Sequence, residues 1–509
     1  MEIKLKSNLK LYLLLVLINL FSFGYIFVFG GYFFRDYSII FEGGLRVWDG
    51  QIPYKDFFLP VGPVVLYLQA FFNWICGANA TAMHLHVSCI NSIVLTCFFL
   101  YARKHIGNLL SVGLTFFLHF CFYGATVNPW YNHTAIFFYI IPQIILLYEF
   151  DKSFEISLVM LLVVGGLASL SLFSKQDIGA LGIVFIGSQI LFFSQHRWKN
   201  SSIFIISVVI ATSAIVFYYS IQGDFGYWFN YGQFPHSSRV DKLLGLINPI
   251  LLAQDLRLHL MIGASFYFIL LGDFRKISWF TIYMIIGLSG FSLIVFYTSG
   301  QPKWTAYFSM PLAGMFLIRM LSQNETLDFS IKQKRIVNYI VFWVLFAYFY
   351  LIVHVNSHPM SSYFDKSFQK LTNSSYAGMR FKPEIIKGIE KIKLELGGYK
   401  PTKNEDWLLN MSSYSFLYSD FGITPPPGTH LWYHSNVTLF EKDYLLFLEK
   451  LQEKPFEYIL LQEMASGTPP PEFRDFLVSI GYSALFSVPT PKSGRGSRYD
   501  LTVYRLIKE

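Results

Sequence analysis

Residues 11–30, LYLLLVLINLFSFGYIFVFG, run directly into residues 31–63, GYFFRDYSIIFEGGLRVWDGQIPYKDFFLPVGP. The first string carries no charge and fills the roughly 20 residues that an α-helix needs to cross a bilayer. The second is its opposite, with acids, bases and aromatics broken by glycine and proline. Lys4, Lys6 and Lys10 precede the apolar run. That run is too long for the core of a secretory signal, and no small-residue cleavage site follows it. It reads as an uncleaved first span with the N-terminus in the cytoplasm.

The rest of the chain extends this reading. The 509 residues are 53% hydrophobic and 19% aromatic but only 14% charged, where globular chains carry about 25% charged residues. This excludes a cytosolic enzyme, a disordered chain and a nucleic-acid-binding protein; the net charge of +8 is scattered over short loops rather than clustered. Charged residues number 37 among the first 355 and 35 among the last 154, which sets a boundary near Asn356. Eleven apolar stretches reach span length, centred near residues 20, 93, 114, 142, 163, 186, 210, 264, 287, 312 and 346. Pro63–Cys76 is apolar but too short, and is assigned to the membrane surface within a long first loop, residues 31–82. With the N-terminus inside, the inner connections hold fourteen Lys and Arg and the outer ones eight, as the positive-inside rule requires. The expected fold is an α-helical polytopic membrane protein of about 11 transmembrane helices, residues 1–356, with an extracytoplasmic α/β domain, residues 357–509.

That tail alternates helix and strand. Helices are expected at Glu384–Leu396, Phe440–Leu451 and Pro471–Ile480. Strands are expected at Trp407–Met411, Tyr458–Gln462, near Leu485–Val488 and near Leu501–Arg505. It has no Gly-rich phosphate loop and no nucleophile elbow. Tyr414, Tyr418, Trp432, Tyr433 and His434 are positioned either to stack on sugar rings or to pack a core. The four cysteines (Cys76, Cys89, Cys97 and Cys121) form no CxxC pair and read as buried small hydrophobes.

In the membrane part, polar residues avoid the span interiors and concentrate in the connections assigned outside. These are the first loop with Arg35, Asp36, Glu42, Arg46, Asp49, Lys55 and Asp56; Asn128–His133; Ser174–Asp177; residues 222–257 with His236, Arg239 and Lys242; and Ser299–Trp304. His84 and His86 open the second span. Acids, bases and aromatics repeated in five connections on one side indicate a single outward-facing cavity.

The first 110 residues resemble the glycosyltransferase C superfamily, polytopic enzymes that use polyprenyl-phosphate-linked sugars, such as the protein O-mannosyltransferases and the aminoarabinose transferases of lipid A. The resemblance is carried by Arg35-Asp36-Tyr37 just after span 1 and by Gly50-Gln-Ile-Pro-Tyr-Lys-Asp56. It continues with the Pro60-Val-Gly-Pro63 helix start closed by Gly77, and with Tyr101-Ala-Arg-Lys-His-Ile-Gly107 at the end of the next span. Lys175-Gln-Asp-Ile-Gly179 is similar to an element of bacterial members. The chain has one acid after span 1 where many members have two, and His84-Leu-His86 where many have an arginine.

The resemblance implies transfer of a sugar from a polyprenyl-phosphate donor to an extracytoplasmic glycan, lipid or protein, and the Lys-rich, Phe/Ile-rich chain without cysteines in its outer domain points to a bacterial inner membrane. Asp36 is the expected catalytic base. Asp56, Tyr54 and Arg46 are expected to orient the acceptor or the loop. Lys175, Lys303, His84, His86 and Arg239 are expected to meet the donor phosphate. No cofactor or metal is expected, although Asp36, Asp56 and Asp177 are the set that would hold a divalent cation. The competing reading is a transporter or flippase for a lipid-linked or anionic solute, which ordinarily shows repeated halves and broken helices; neither is evident here.

Overall fold

The computed structural model describes residues 2–31, 34–59, 62–124, 127–226, 228, 278–299, 308–323, 365–397, 406–431, 433, 439–462, 472–491 and 500–507. Apolar helices dominate it. In order they are α1 (Glu2–Phe29), α2 (Phe34–Trp48), α3 (Val64–Cys76), α4 (Ala80–Ile106), α5 (Asn108–His119), α6 (Tyr131–Lys152), α7 (Leu158–Leu172), α8 (Gln176–Phe193), α9 (Arg197–Gln222), α10 (Trp279–Ser299) and α11 (Met310–Gln323). One turn of π-helix, Phe120–Gly124, extends α5.

Five of these, within α1, α4, α6, α8 and α9, are long and apolar enough to cross a membrane. Nine of the eleven expected span centres fall inside described helices, and those near 264 and 346 lie outside the described residues. The helices carry lipid-compatible side chains all round. On α9, Ile205, Ile206, Val209, Ile210 and Phe217 are exposed, as expected of a helix with hydrocarbon on its outer side. Inside the bundle some polar groups pair across helices. Gln143 and Gln189 exchange two amide hydrogen bonds of 2.8 Å across α6 and α8, and Asn91 of α4 donates to Ser22 of α1 at 2.7 Å.

Local signals set the ends of α4. The Asn79 side chain accepts from the Ala82 amide at 3.0 Å, an N-cap. Gly107, at φ +78°, ends the helix where a Cβ would be strained. Arg103, Lys104 and His105 fill the last turn, where positive charge suits the helix dipole.

The C-terminal residues form α12 (Pro383–Gly397), α13 (Phe416–Phe421), α14 (Glu441–Glu453) and α15 (Glu472–Ser479). The strands are β1 (Phe57–Phe58) in the first loop, then β2 (Gln369–Lys370), β3 (Arg380–Phe381), β4 (Leu408–Met411), β5 (Thr429–His430), β6 (Tyr458–Gln462), β7 (Tyr482–Pro489) and β8 (Asp500–Leu506). A four-stranded sheet runs β4-β6-β8-β7, with β4 parallel to β6 and the other pairs antiparallel. Every residue of β4 and β6 is buried, as both-face burial requires of a run such as YILLQ.

Loop and tail are fused. Strand β1 pairs in parallel with β5. One apolar core contains Tyr37, Phe41, Tyr54, Phe57 and Leu66 from the loop together with Tyr376, Tyr414, Phe416 and Leu431 from the tail.

Candidate functional site

Helix α2 is the axis of the site. Its glycines face α3 and the tail. A Cβ at Gly43 would crowd Leu66 and Leu431, and one at Gly44 would collide with the Gln69 side chain. The Glu-Gly-Gly-Leu-Arg sequence thus reads as close helix packing combined with one buried ion pair. Glu42 and Arg46, four residues apart, face each other at 2.7 Å with 4% and 1% of their surfaces exposed.

All five guanidinium donors of Arg46 are used. Nε and Nη2 reach Glu42 Oε1 at 3.0 and 2.7 Å. Nη1 reaches Gln51 Oε1 at 3.1 Å and the Pro426 carbonyl at 2.8 Å. Nη2 also reaches Thr429 Oγ1 at 2.9 Å. A planar fork with five fixed donors suits such a junction, and a lysine could not span it. Around it Gln51 Nε2 donates to the Pro425 carbonyl at 2.6 Å, and the Gly428 amide donates to the Asp56 carbonyl at 2.6 Å. Arg46 thus clamps the tail turn 425–429 onto the loop. Burial pushes the Glu42 carboxyl up to about 6 against the opposing pull of Arg46.

His430 lies just past that turn, almost fully buried against Phe58 and Tyr433. Burial first, then the charges of Arg46 and Lys450, push its imidazole down from the usual 6.5 to about 3. The folded protein holds it neutral, while the unfolded chain takes up a proton below about pH 6.5. Its contribution to stability is whole above that pH and is lost as pH falls toward about 3. The melting temperature of His430→Asn minus that of the wild type is therefore expected to rise as the buffer goes from about pH 7 to about pH 4. A difference independent of pH would contradict the buried neutral imidazole.

Asp36 stands in the first turn of α2, two residues inside the helix start at Phe34; its side chain lies outside the described residues. Tyr54 is fully buried at φ +66°, a backbone region that costs a tyrosine roughly 1–3 kcal/mol. Its ring meets Tyr219 and Phe225 edge-on at 5.3 and 5.4 Å, and its carbonyl accepts from the Asp224 amide at 2.9 Å. These contacts pin the loop to the end of α9. Asp56 Oδ2 accepts from the Ile52 amide at 2.7 Å, closing its own turn.

The loop also reaches the start of α8. A Cβ at Gly62 would collide with the Phe173 carbonyl, so the Gly-Pro before α3 lies flat on the turn leading to Lys175. Lys175 is 9% exposed, 3.3 Å from Asp177 and 6.0 Å from the Tyr131 ring centre. Gln176 donates to the Trp228 carbonyl at 2.9 Å.

His84 packs against Gly30 at the end of α1. His86 Nδ1 contacts Gln69 Oε1 at 2.8 Å, and Gln69 Nε2 donates to Asn73 at 2.8 Å, so His86 ties α4 to α3. Asn128 is fully buried. The first loop, the histidine pair, the Asn128–Asn132 stretch, the Lys175 turn and the end of α9 thus meet at one end of the bundle. Lys303 and Arg239 lie outside the described residues, as do Trp432 and His434. No cluster of three or more His, Cys, Asp or Glu side chains converges among the described residues.

Sequence reading missed Glu42, Gln51, Thr429 and His430 as parts of one junction. The four-residue spacing of Glu42 and Arg46 was a usable signal. Their tail partners, some 380 residues away, left none.

No family model matches the sequence, and no curated protein matches it. Solved structures do. ArnT from Cupriavidus metallidurans bound to undecaprenyl phosphate aligns over 97% of this chain and 98% of its own, with a TM-score of 0.57 at 10% identity. The same protein in the apo state aligns over 98% of each chain with a TM-score of 0.56 at 10% identity. The chain therefore shares the fold of ArnT over 97% of its length, and in fold the resemblance read in the first 110 residues holds.

Proposed function

We propose that this protein is a membrane glycosyltransferase that moves a sugar from a polyprenyl-phosphate donor to an extracytoplasmic glycan, lipid or protein acceptor. The observation that carries the proposal is the convergence, at one end of an ArnT-like bundle, of the Asp36 loop, the Lys175 turn and the end of α9. The donor follows from the compartment. Nucleotide sugars are cytosolic, so transfer on the outer face needs a donor carried in the lipid.

In this reading the chain has eleven spans, its N-terminus is cytoplasmic, and residues 357–509 form an outward α/β domain on a bacterial inner membrane. Asp36, at the start of α2, takes the proton from the acceptor hydroxyl as its oxygen attacks the anomeric carbon. The bond between that carbon and the phosphate oxygen breaks, and polyprenyl phosphate leaves as an anion. Lys175 meets that developing charge, supported by His84, His86, Arg239 and Lys303. Asp56, Tyr54 and Arg46 hold the loop that presents Asp36 and the acceptor. The chemistry uses no metal.

Lys175→Ala tests the donor side. It is expected to weaken binding of undecaprenyl phosphate to the purified protein by about tenfold or more, as loss of a charged hydrogen bond does. Asp177→Asn, which keeps the lysine and removes its ion-pair partner, is expected to leave binding intact or tighten it. Equal affinity of wild type and Lys175→Ala would remove Lys175 from the donor site.

A further inference from the structure

The turn clamped by Arg46 has a second face, and that face is hollow. Residues 426–429 form one wall of a cavity of about 270 Å³ whose other walls come from α14, Asp406 and Phe456. The cavity is small. Its volume falls just below the roughly 300–1,000 Å³ of ordinary small-molecule sites, which suits one monosaccharide unit and not a chain or an acyl tail.

The lining has two characters. Pro426, Pro427 and Phe456 offer flat apolar surface, with Phe447 and Leu451 beneath. Lys450, Glu453, Lys454 and Asp406 supply the polar side. Lys454 and Asp406 already neutralise each other at 2.8 Å. Lys450 and Glu453 are exposed, three residues apart on α14, and form no ion pair among the described residues. The wall is therefore neutral as a whole, yet it carries donors and acceptors side by side.

That combination selects a ligand class. An anion would meet two carboxylates and a cation two ammonium groups, so neither gains from the wall as a whole. An uncharged pyranose fits both characters. Its hydroxyls donate to carboxylates and accept from ammonium groups, and its C–H faces lie on proline and phenylalanine rings.

We infer that this cavity is a binding subsite for a neutral monosaccharide unit of the acceptor. The inference deepens the transferase reading and rests on it for the word acceptor, but the binding itself does not require transfer. The subsite shares its wall with the loop. The same turn receives Arg46 at the Pro426 carbonyl and gives its Gly428 amide to Asp56. A sugar seated there is held by the segment that is locked to α2, the helix that begins with Asp36.

Saturation-transfer NMR on the full chain in detergent micelles tests this. The probes are methyl glycosides of glucose, mannose and galactose, with sodium glucuronate, glucosamine and acyclic sorbitol as comparisons. At least one neutral glycoside is expected to receive saturation and to bind more tightly than glucuronate, glucosamine and sorbitol. The double variant Lys450→Ala/Glu453→Ala, both sites exposed on α14, is expected to bind that glycoside at least about fivefold more weakly, as loss of two hydrogen-bonding side chains implies. Unchanged thermal unfolding of the variant would confirm that the fold is intact.

The inference is overturned if no neutral glycoside binds, if a charged sugar or sorbitol binds as tightly, or if the double variant binds equally well. Sugar transfer is measured separately. Transfer without glycoside binding overturns the subsite and leaves the transferase reading standing, whereas binding without transfer does the reverse.

Discussion

Asp36→Asn is expected to lower sugar transfer by about 10²–10⁴-fold, the usual cost of removing a general base, while the protein still folds and accumulates in the membrane. The carboxamide keeps the shape of the carboxylate but cannot take a proton from the acceptor hydroxyl. The position supports the role. Asp36 sits in the first turn of α2, shortly after α1, and on the proposed reading a lipid-borne phosphate and a water-borne acceptor meet there. The rest of α2 is fixed by its glycine face against α3 and by the Arg46 clamp, so the substitution changes chemistry at a helix end rather than the packing of the helix. Binding of undecaprenyl phosphate should be unaffected or slightly strengthened, because a negative charge has been removed near the phosphate. A variant that retains more than roughly a tenth of wild-type transfer would exclude Asp36 as the base.

Arg46→Ala is expected to be the most destabilising single change at the junction. It leaves Glu42 buried without its cation, and breaking a buried pair in this way costs about 3–5 kcal/mol. Gln51, the Pro426 carbonyl and Thr429 lose their donor as well. The double variant Glu42→Leu/Arg46→Met removes both charges together and should recover part of the loss, since neutral replacement of a buried pair is often tolerated. Thermal unfolding should therefore rank wild type above the double variant and the double variant above Arg46→Ala. Limited proteolysis should cut the single variant first in the turn 425–429, where the tail is released from the loop. An Arg46→Ala protein as stable as the wild type would mean that the β1–β5 pairing and the shared apolar core hold the tail without the clamp.

The helical, apolar character was legible from local signals. Apolar length marked α1, α4, α6, α8 and α9, which are long enough to cross a membrane, whereas the expected spans near 114, 163, 287 and 312 fall in shorter apolar helices, as does Pro63–Cys76 in α3. In the tail, the pattern EIIKGIEKIKLEL becomes α12 with Ile385, Ile389, Ile392 and Leu396 buried, and YILLQ becomes the fully buried β6. Periodicity carries this information because each element chooses its buried face within a few residues.

What joins the elements was not legible. Strand β1 is two residues long, and its partner Thr429-His430 is hundreds of residues later. Neither has a pattern of its own, since such short strands exist only through their pairing. Tyr54 shows the same limit. Its Pro-Tyr turn was visible, but the buried aromatic contacts with Tyr219 and Phe225 depend on α9 returning to the loop. For the candidate site, residue types pointed to the first loop, and tertiary placement distinguishes the residues within it. Arg46 and Tyr54 became anchors, Asp56 closes its own turn, and Lys175 lies where the loop meets α8.

On the transferase proposal the chain moves a sugar off a polyprenyl-phosphate lipid. The most direct measurement supplies purified protein in liposomes with a panel of undecaprenyl-phosphate-linked radiolabelled sugars and an envelope extract from its own host, then asks which fraction holds the label. For one member of the panel, label should leave the lipid-phosphate fraction, appear on an acceptor, and release undecaprenyl phosphate in equal amount. Label that stays on its lipid for every sugar in the panel, or that crosses the bilayer still attached to it, would contradict the account and favour a carrier of lipid-linked sugars.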